Sequence, residues 1–151
     1  MTKKIYIIGS LRNPGVPELA KLLRSEGFYV FDDWFAAGPT ADDCWQAYEK
    51  SKGSSYPEAL YGHAARNVFE FDKRHLDAAD IAILLMPAGK SGHLELGYVI
   101  GSGKTGYVLF DKEPERWDVM YQFASGVFYD TESLLKALEK QVGGNSIRKV
   151  A

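Results

Sequence analysis

Glu95 is a carboxylate in apolar surroundings, between two leucines in the stretch GKSGHLELGYV (89–99), which follows the apolar run IAILLMP (81–87). A helix that begins at Ser91 or Gly92 would place Glu95 in its first turn, where free N–H groups and the helix dipole favour an anion. An ionised glutamate suits a nucleophile better than a proton donor. The alternative is a capping box, in which the Glu95 side chain reaches back to the N-cap N–H.

Asp72 is a second candidate carboxylate, on a predicted helix that leads into the apolar run. Phe69 and Phe71 are close to it in sequence, and partial desolvation would raise the pKa of Asp72 and let it act as an acid. The alternative is an exposed helix carboxylate that pairs with the lysine or arginine after it. Two carboxylates at one pocket are what cleavage of a glycosidic bond with retention requires.

The stretch GSLRNPG (9–15) follows the first predicted strand. Gly9, Ser10 and Arg12 could cradle a phosphate or a sugar hydroxyl, and an ordinary strand-to-helix turn is the alternative. The dinucleotide motif G-x-G-x-x-G and the P-loop motif G-x-x-x-x-G-K-[ST] are both absent. We therefore expect no cofactor.

Other residue types give weaker signals. Trp34, after the second predicted strand, could stack on a base or belong to the core. The three histidines do not show metal-ligand spacing, and we expect no metal site. Cys44 is the only cysteine, so it forms no internal disulfide, and a cytoplasmic protein is the simplest expectation.

These residues are placed by an alternation of apolar runs and amphipathic segments. Strands are predicted at 3–9, 28–34, 80–87, 105–110 and 126–130. Helices are predicted at 16–27, 41–50, 63–79, 91–103, 114–124 and 131–142. The alternation predicts an α/β protein, a flavodoxin-like or Rossmann-like three-layer fold around a five-stranded, mainly parallel sheet. Ligands bind such sheets beyond the carboxyl ends of the strands.

The domain organisation is simple. The 151 residues suit one domain, which we place at 1–142, followed by a flexible tail at 143–151. The segment 36–62 is less regular and is predicted to be a lid or a packed insertion. In the last helix, Thr131 is the expected cap, and the buried stripe is formed by Leu134, Leu135 and Leu138.

Composition limits the partners. Hydrophobic residues make up 46% of the chain and charged residues 25%, ordinary values for a globular protein. The formal net charge of −2 argues against a nucleic acid polymer as partner. No segment approaches the roughly 18 apolar residues that would span a membrane.

Three stretches carry a resemblance to a known family: IYIIGSLRN (5–13), FDKRHLDAADIAILL (71–85) and SGHLELGYVIGSGK (91–104). Together they resemble the nucleoside 2-deoxyribosyltransferase family, with its relatives the 2′-deoxynucleoside 5′-monophosphate N-glycosidases. The resemblance implies that Glu95 is the nucleophile that forms a glycosyl-enzyme, and that Asp72 acts at the leaving base. It also implies that Tyr6 hydrogen-bonds and orients the nucleophile.

The same resemblance implies a binding site for the substrate. Gly9, Ser10 and Arg12 would lie at the 5′ end of the sugar, with Ser91 nearby. Ser125 would be lent to the site of a neighbouring subunit, which implies a homodimer or a higher homo-oligomer.

Three functions follow as expectations. The first is cleavage of a 2′-deoxynucleoside with transfer of the sugar to another purine or pyrimidine base. The transferases use a lent Asn, and the segment GVFYD (126–130) offers none, so hydrolysis of a 2′-deoxynucleoside 5′-monophosphate stays open as the alternative. The third is a nucleotide-binding module without turnover.

Overall fold

The computed structural model describes residues 3–141, and the predicted tail at 143–151 lies outside them. The five strands are β1 (Lys4–Ile8), β2 (Tyr29–Phe31), β3 (Ile81–Leu85), β4 (Thr105–Leu109) and β5 (Gly126–Phe128). The α-helices are α1 (Gly15–Ser25), α2 (Ala41–Ser51), α3 (Tyr56–Leu60), α4 (His63–Ala78), α5 (Lys90–Gly101) and α6 (Thr131–Gln141). Two short 3-10 helices cover Asp33–Ala37 and Val119–Phe123.

The strands form one sheet in the order β2-β1-β3-β4-β5, and every neighbouring pair is parallel. Helices cover both faces, so the predicted three-layer α/β fold is confirmed, with a sheet that is parallel throughout. Reversal of strand order between β1 and β3 creates the position at which such sheets bind ligands.

Alternation along β1 decides which side chains face which layer. Ile5 and Ile7 pack in the core on the α1 and α6 face, whereas Tyr6 and Ile8 pack on the α4 and α5 face. All four are almost fully buried, and burial of each isoleucine stabilises the fold by about 1.5–3 kcal/mol. The sheet period of two therefore turns Tyr6 toward the two helices that carry Asp72 and Glu95.

Two predicted elements are shorter than expected. The predicted strand at 28–34 ends at Phe31, because the chain turns there into the 3-10 helix over Asp33–Ala37. The predicted helix at 114–124 is wrong, and only the 3-10 turn over Val119–Phe123 forms there. The Asp118 carboxylate accepts a hydrogen bond from the Met120 N–H at 2.8 Å and so starts a turn instead.

The predicted cap of α6 is also corrected. Asp130, rather than Thr131, caps the helix, because its carboxylate accepts a hydrogen bond from the Ser133 N–H at 2.7 Å. Leu134 and Leu138 are fully buried as predicted, and Leu135 packs against the same cluster.

The segment 36–62 contains the predicted helix, here α2, followed by the short helix α3. Ser55 and Glu58 form a capping box that begins α3. Among residues 3–141, no helix is long and apolar enough to cross a membrane.

Candidate active site

Glu95 lies one turn deeper in its helix than the sequence predicts. Helix α5 begins at Lys90 after the N-cap Gly89, so Glu95 is the sixth helical residue and belongs to the second turn. The prediction that Glu95 occupies the first turn is therefore wrong, because the four free N–H groups precede it. No side chain caps Gly89, so Glu95 does not form the capping box that was the alternative.

Close packing of α5 on the sheet positions Glu95. Gly92 is buried, and a Cβ atom there would lie 3.0 Å from a methyl group of Leu84 and 3.3 Å from one of Ile8. A larger residue would push the helix outward. The glycine thus lets α5 approach β1 and β3, which brings the Glu95 side chain to Tyr6.

Tyr6 and Glu95 are joined by a hydrogen bond that runs from the phenolic hydroxyl to the carboxylate. Tyr6 is 1% exposed and lies in the middle of β1. Burial, together with the negative charges of Glu95 and Asp72, raises the pKa of Tyr6 far above its ordinary value. Tyr6 is therefore a neutral hydrogen-bond donor at neutral pH.

Asp72 completes the cluster from α4. Desolvation raises the pKa of Asp72 to about 6. The alternative of a surface ion pair is not found: Lys73 instead pairs with Asp77 at 2.8 Å, and the Arg74 guanidinium lies over the Phe71 ring. Asp72 is thus a partly buried carboxyl group that can hold a proton near neutral pH.

Glu95 also has a raised pKa, of about 7. Desolvation is the largest cause and the charge of Asp72 the second, while the hydrogen bond from Tyr6 acts in the opposite direction. The expectation that the helix dipole keeps Glu95 fully ionised is therefore corrected. Because the two carboxyl groups interact, they titrate as a pair that holds one shared proton near neutral pH.

An aromatic cluster lies beside the carboxyl groups. The Phe31 ring of β2 stacks on the His75 ring of α4 with centroids 3.9 Å apart and planes 11° apart. The centroid of the Phe71 ring lies 6.0 Å from that of Phe31 and 4.7 Å from that of His75. The ring centroids of Tyr6 and Phe31 are 5.2 Å apart. This wall could accept a planar ring next to Asp72. The sequence did not reveal it, because its members come from three separate elements.

The loop after β1 is well ordered by its own contacts. Gly9 allows the loop to approach α1, since a Cβ atom there would lie 2.9 Å from Val16. The Ser10 hydroxyl accepts a hydrogen bond from the Arg12 N–H at 3.1 Å. The Arg12 guanidinium pairs with Asp43 of α2 at 3.0 Å, a contact that the sequence did not predict.

The other predicted binding residues are not all in one place. The Trp34 indole N–H donates a hydrogen bond to the Ile7 carbonyl at 2.8 Å, and its half-buried ring packs against the core clusters. Ser91 is exposed in the first turn of α5. Ser125 exchanges hydrogen bonds with Gly106 near the amino end of β4. The Arg12 loop follows the carboxyl end of β1, so the two lie at opposite ends of the parallel strands.

A groove of about 390 Å³ lies beyond the carboxyl ends of β4 and β5, lined by aromatic and acidic residues that include Trp117, Asp118 and Tyr121. None of the predicted site residues lines it. It touches α5 through His93, whose ring nitrogens contact the Gly89 carbonyl at 2.7 Å and the Tyr121 hydroxyl at 2.9 Å. Among residues 3–141, no group of three His, Cys, Asp or Glu side chains could hold a metal ion.

Two solved structures are similar to this chain. A 2-deoxyribosyltransferase from Bacillus psychrosaccharolyticus has a TM-score of 0.60 and 21% sequence identity, covering 87% of this chain and 89% of that chain. A CMP N-glycosidase from Clostridium botulinum has a TM-score of 0.52 and 14% sequence identity, covering 91% of this chain and 99% of that chain. No family model matches the chain, and no curated protein matches it. The resemblance drawn from the sequence is thus confirmed at the level of the fold.

Proposed function

We propose that this protein is an enzyme that cleaves the N-glycosidic bond of 2′-deoxynucleosides and transfers the sugar to another purine or pyrimidine base. The observation that carries the proposal is the cluster of Tyr6, Asp72 and Glu95, in which a buried tyrosine holds one carboxylate beside another. The shared fold with a 2-deoxyribosyltransferase and a CMP N-glycosidase supports it.

In the first step, a Glu95 carboxylate oxygen attacks C1′ of the deoxyribose while the bond from C1′ to the base nitrogen breaks. The electron pair of that bond leaves with the base, and the carboxyl group of Asp72 supplies the proton that neutralises it. The product is a glycosyl ester on Glu95. The second base then attacks C1′, Asp72 takes back a proton, and Glu95 leaves as a carboxylate.

The pKa of about 7 for Glu95 is above the value of about 6 for Asp72, so the shared proton lies mainly on Glu95. The Tyr6 hydroxyl favours the charged form of Glu95, since its hydrogen bond lowers the pKa of that group. No such hydrogen bond lowers the pKa of Asp72, whose shift comes from desolvation alone. The microstate that reacts, with a charged Glu95 and a protonated Asp72, is therefore the less populated one, and the hydrogen bond from Tyr6 raises its population. The charge on Glu95 also stabilises positive charge that develops at C1′.

Substrate binding is proposed from the surrounding elements. The base would lie against the aromatic wall and Trp34, close to Asp72. The 5′ end of the sugar would lie at the loop of Gly9, Ser10 and Arg12, near Ser91 at the start of α5. Neither step changes an oxidation state, so neither needs a redox cofactor.

A homodimer or a higher homo-oligomer is proposed with this activity. Large apolar side chains on α4, α5 and the segment before β5 are 61–79% exposed, and such surfaces mark association sites; they are Val68, Phe69, Leu94, Trp117, Val119, Met120 and Phe123. Ser125 lies at the amino ends of the strands, away from the carboxyl groups, so its contribution would be to a neighbouring subunit. A cytoplasmic location is proposed from the single, exposed Cys44.

The second candidate function is hydrolysis of a 2′-deoxynucleoside 5′-monophosphate, with water in place of the second base. Arg12 and Ser10 favour it, because both could bind a phosphate. The fold shared with a CMP N-glycosidase favours it as well.

The test is a panel of 2′-deoxynucleosides and their 5′-monophosphates, incubated with and without a second base and separated by chromatography. A new nucleoside that forms only when the second base is present supports transfer, and free sugar or sugar phosphate supports hydrolysis. Binding without release of any base over hours would contradict both and favour a nucleotide-binding module.

A further inference from the structure

The ion pair between Arg12 and Asp43 joins the loop after β1 to the first turn of α2. The Arg12 Nη2 and the Asp43 Oδ2 are 3.0 Å apart, although the residues are 31 positions apart in sequence. Both side chains are 66% exposed. Exposed ion pairs contribute little to folding stability, so a bound ligand can displace this one or share it.

The pair lies where the 5′ end of a substrate is proposed to bind. Arg12 follows the carboxyl end of β1, and α5 starts beyond the carboxyl end of the adjacent strand β3. The base is attached to C1′ and the 5′ carbon to C4′, the two carbons on either side of the ring oxygen, so the two groups extend in different directions from the sugar. The 5′ carbon would therefore point away from the aromatic wall and toward the loop of Arg12.

Charge at this position separates two classes of substrate. A phosphate monoester carries close to two negative charges at neutral pH, and next to Asp43 it would face a carboxylate that already occupies the guanidinium. A free 5′-hydroxyl is neutral and can donate a hydrogen bond to that carboxylate. Asp33, in the 3-10 helix that precedes α2, is exposed and adds negative charge.

We propose that Asp43 is a specificity-determining residue that makes the free 2′-deoxynucleoside, rather than its 5′-monophosphate, the preferred substrate class. This inference rests on the proposed function and deepens it. Asp43 acts by repulsion of the phosphate and by engagement of Arg12, the side chain that would otherwise bind a phosphate. The sequence resemblance alone points to Arg12 as a phosphate contact and says nothing of Asp43.

The experiment compares Asp43→Asn with the matched control Asp42→Asn, which removes the same charge one residue earlier on α2. The kcat/KM values are measured for the common 2′-deoxynucleosides and for their 5′-monophosphates. Asp43→Asn is expected to raise the ratio of monophosphate to nucleoside kcat/KM about tenfold, because a repulsive charge is removed from the contact. Asp42→Asn is expected to change that ratio by less than about twofold.

Three results would overturn the proposal: a wild-type preference for monophosphates, an unchanged ratio in Asp43→Asn, or the same change in both variants. Thermal unfolding of each variant checks that the fold is retained. If the wild-type protein releases no base from any substrate, calorimetry with the same ligands separates the two proposals. Monophosphate binding that is about tenfold tighter in Asp43→Asn would then support the role of Asp43 without supporting the proposed activity. Unchanged binding, or no binding, would contradict the role of Asp43 and the proposed activity together.

Discussion

The hydroxyl of Tyr6 on β1 donates a hydrogen bond to the carboxylate of Glu95 on α5, across the interface between the sheet and its helical layer. This contact is the one influence that lowers the pKa of Glu95, while burial and Asp72 raise it to about 7. The hydroxyl of Tyr6 thus increases the ionised fraction of the candidate nucleophile at neutral pH.

We predict that Tyr6→Phe moves the ionisation of Glu95 to higher pH. Loss of the hydrogen bond leaves desolvation and the Asp72 charge unopposed, so the basic limb of the pH–rate profile, which follows the higher pKa of the pair, shifts upward. The rate at neutral pH should fall by about 10- to 100-fold, a common effect for loss of one donor to a charged group. The measurement is kcat/KM for base release between pH 5 and 9.

The control for that variant is Tyr98→Phe, which removes a tyrosine hydroxyl that belongs to α5 itself. The Tyr98 hydroxyl donates to Asp77 at 2.5 Å, away from the carboxyl pair. A basic limb that moves equally in both variants, or in neither, would contradict the role assigned to Tyr6.

The wild-type enzyme should have a bell-shaped pH profile. The reactive form holds one proton on the carboxyl pair, and the pKa values of Asp72 and Glu95 are about 6 and 7. Below this range both groups are protonated and no nucleophile is present, and above it both are ionised and no acid is present. The optimum of kcat/KM should therefore lie between pH 6 and 7; a rate that stays constant from pH 5 to 9 is incompatible with the paired carboxyl groups.

Asp72→Asn should separate the proton donor from the nucleophile. Release of an ordinary base should slow by about 10²–10⁴-fold, as expected when a general acid is lost. A nitrophenolate leaving group needs no proton, so cleavage of a nitrophenyl 2-deoxyriboside should slow far less. The pKa of Glu95 should fall but stay above its ordinary value, because burial is the larger cause of its shift.

The control is Glu70→Gln, which removes an exposed carboxylate from the same helix. It should leave both substrates nearly unaffected. Equal losses for the two leaving groups in Asp72→Asn would argue that Asp72 positions the substrate and donates no proton.

Glu95→Gln should stabilise the protein in a pH-dependent manner. The folded-state pKa of Glu95 is raised from 4.5 to about 7, so wild-type stability is highest below the unfolded pKa and is lost as pH rises through the folded one. Glutamine avoids that loss. We expect about 1–3 kcal/mol of added free energy of unfolding at pH 8 and almost none at pH 4.

Urea unfolding of both proteins at the two pH values measures this difference. Asp72 is present in both proteins, so the pH dependence of stability that its own titration causes cancels in the comparison. Only its interaction with Glu95 differs between them. Equal stability at pH 8 would mean that Glu95 is better solvated than its burial indicates.

The sequence was sufficient to predict the sheet, because the strands that decide it are runs of apolar residues. Ile81–Leu85 is buried along its whole length, as its composition indicates. The resemblance to the family, rather than a local pattern, implied that Tyr6, Asp72 and Glu95 meet. Strand period and the order of elements bring the first to the same face as the helices of the other two.

Finer features depend on contacts that no local pattern encodes. The N-cap of α5 is Gly89, which has no side chain to cap the helix, so the sequence had no marker to show that Glu95 belongs to the second turn. The stacking of Phe31 on His75 and the pairing of Arg12 with Asp43 join residues that are 44 and 31 positions apart. Such long-range contacts become visible only when the elements are packed.

The central claim is that Glu95 is the nucleophile, and the rate of base release by Glu95→Ala tests it most directly. The variant is measured with wild type on the same 2′-deoxynucleoside at pH 6.5, with Glu70→Gln as the control. If Glu95 forms the glycosyl-enzyme, its loss should slow base release by at least about 10³-fold. A rate within a few-fold of wild type would contradict the account.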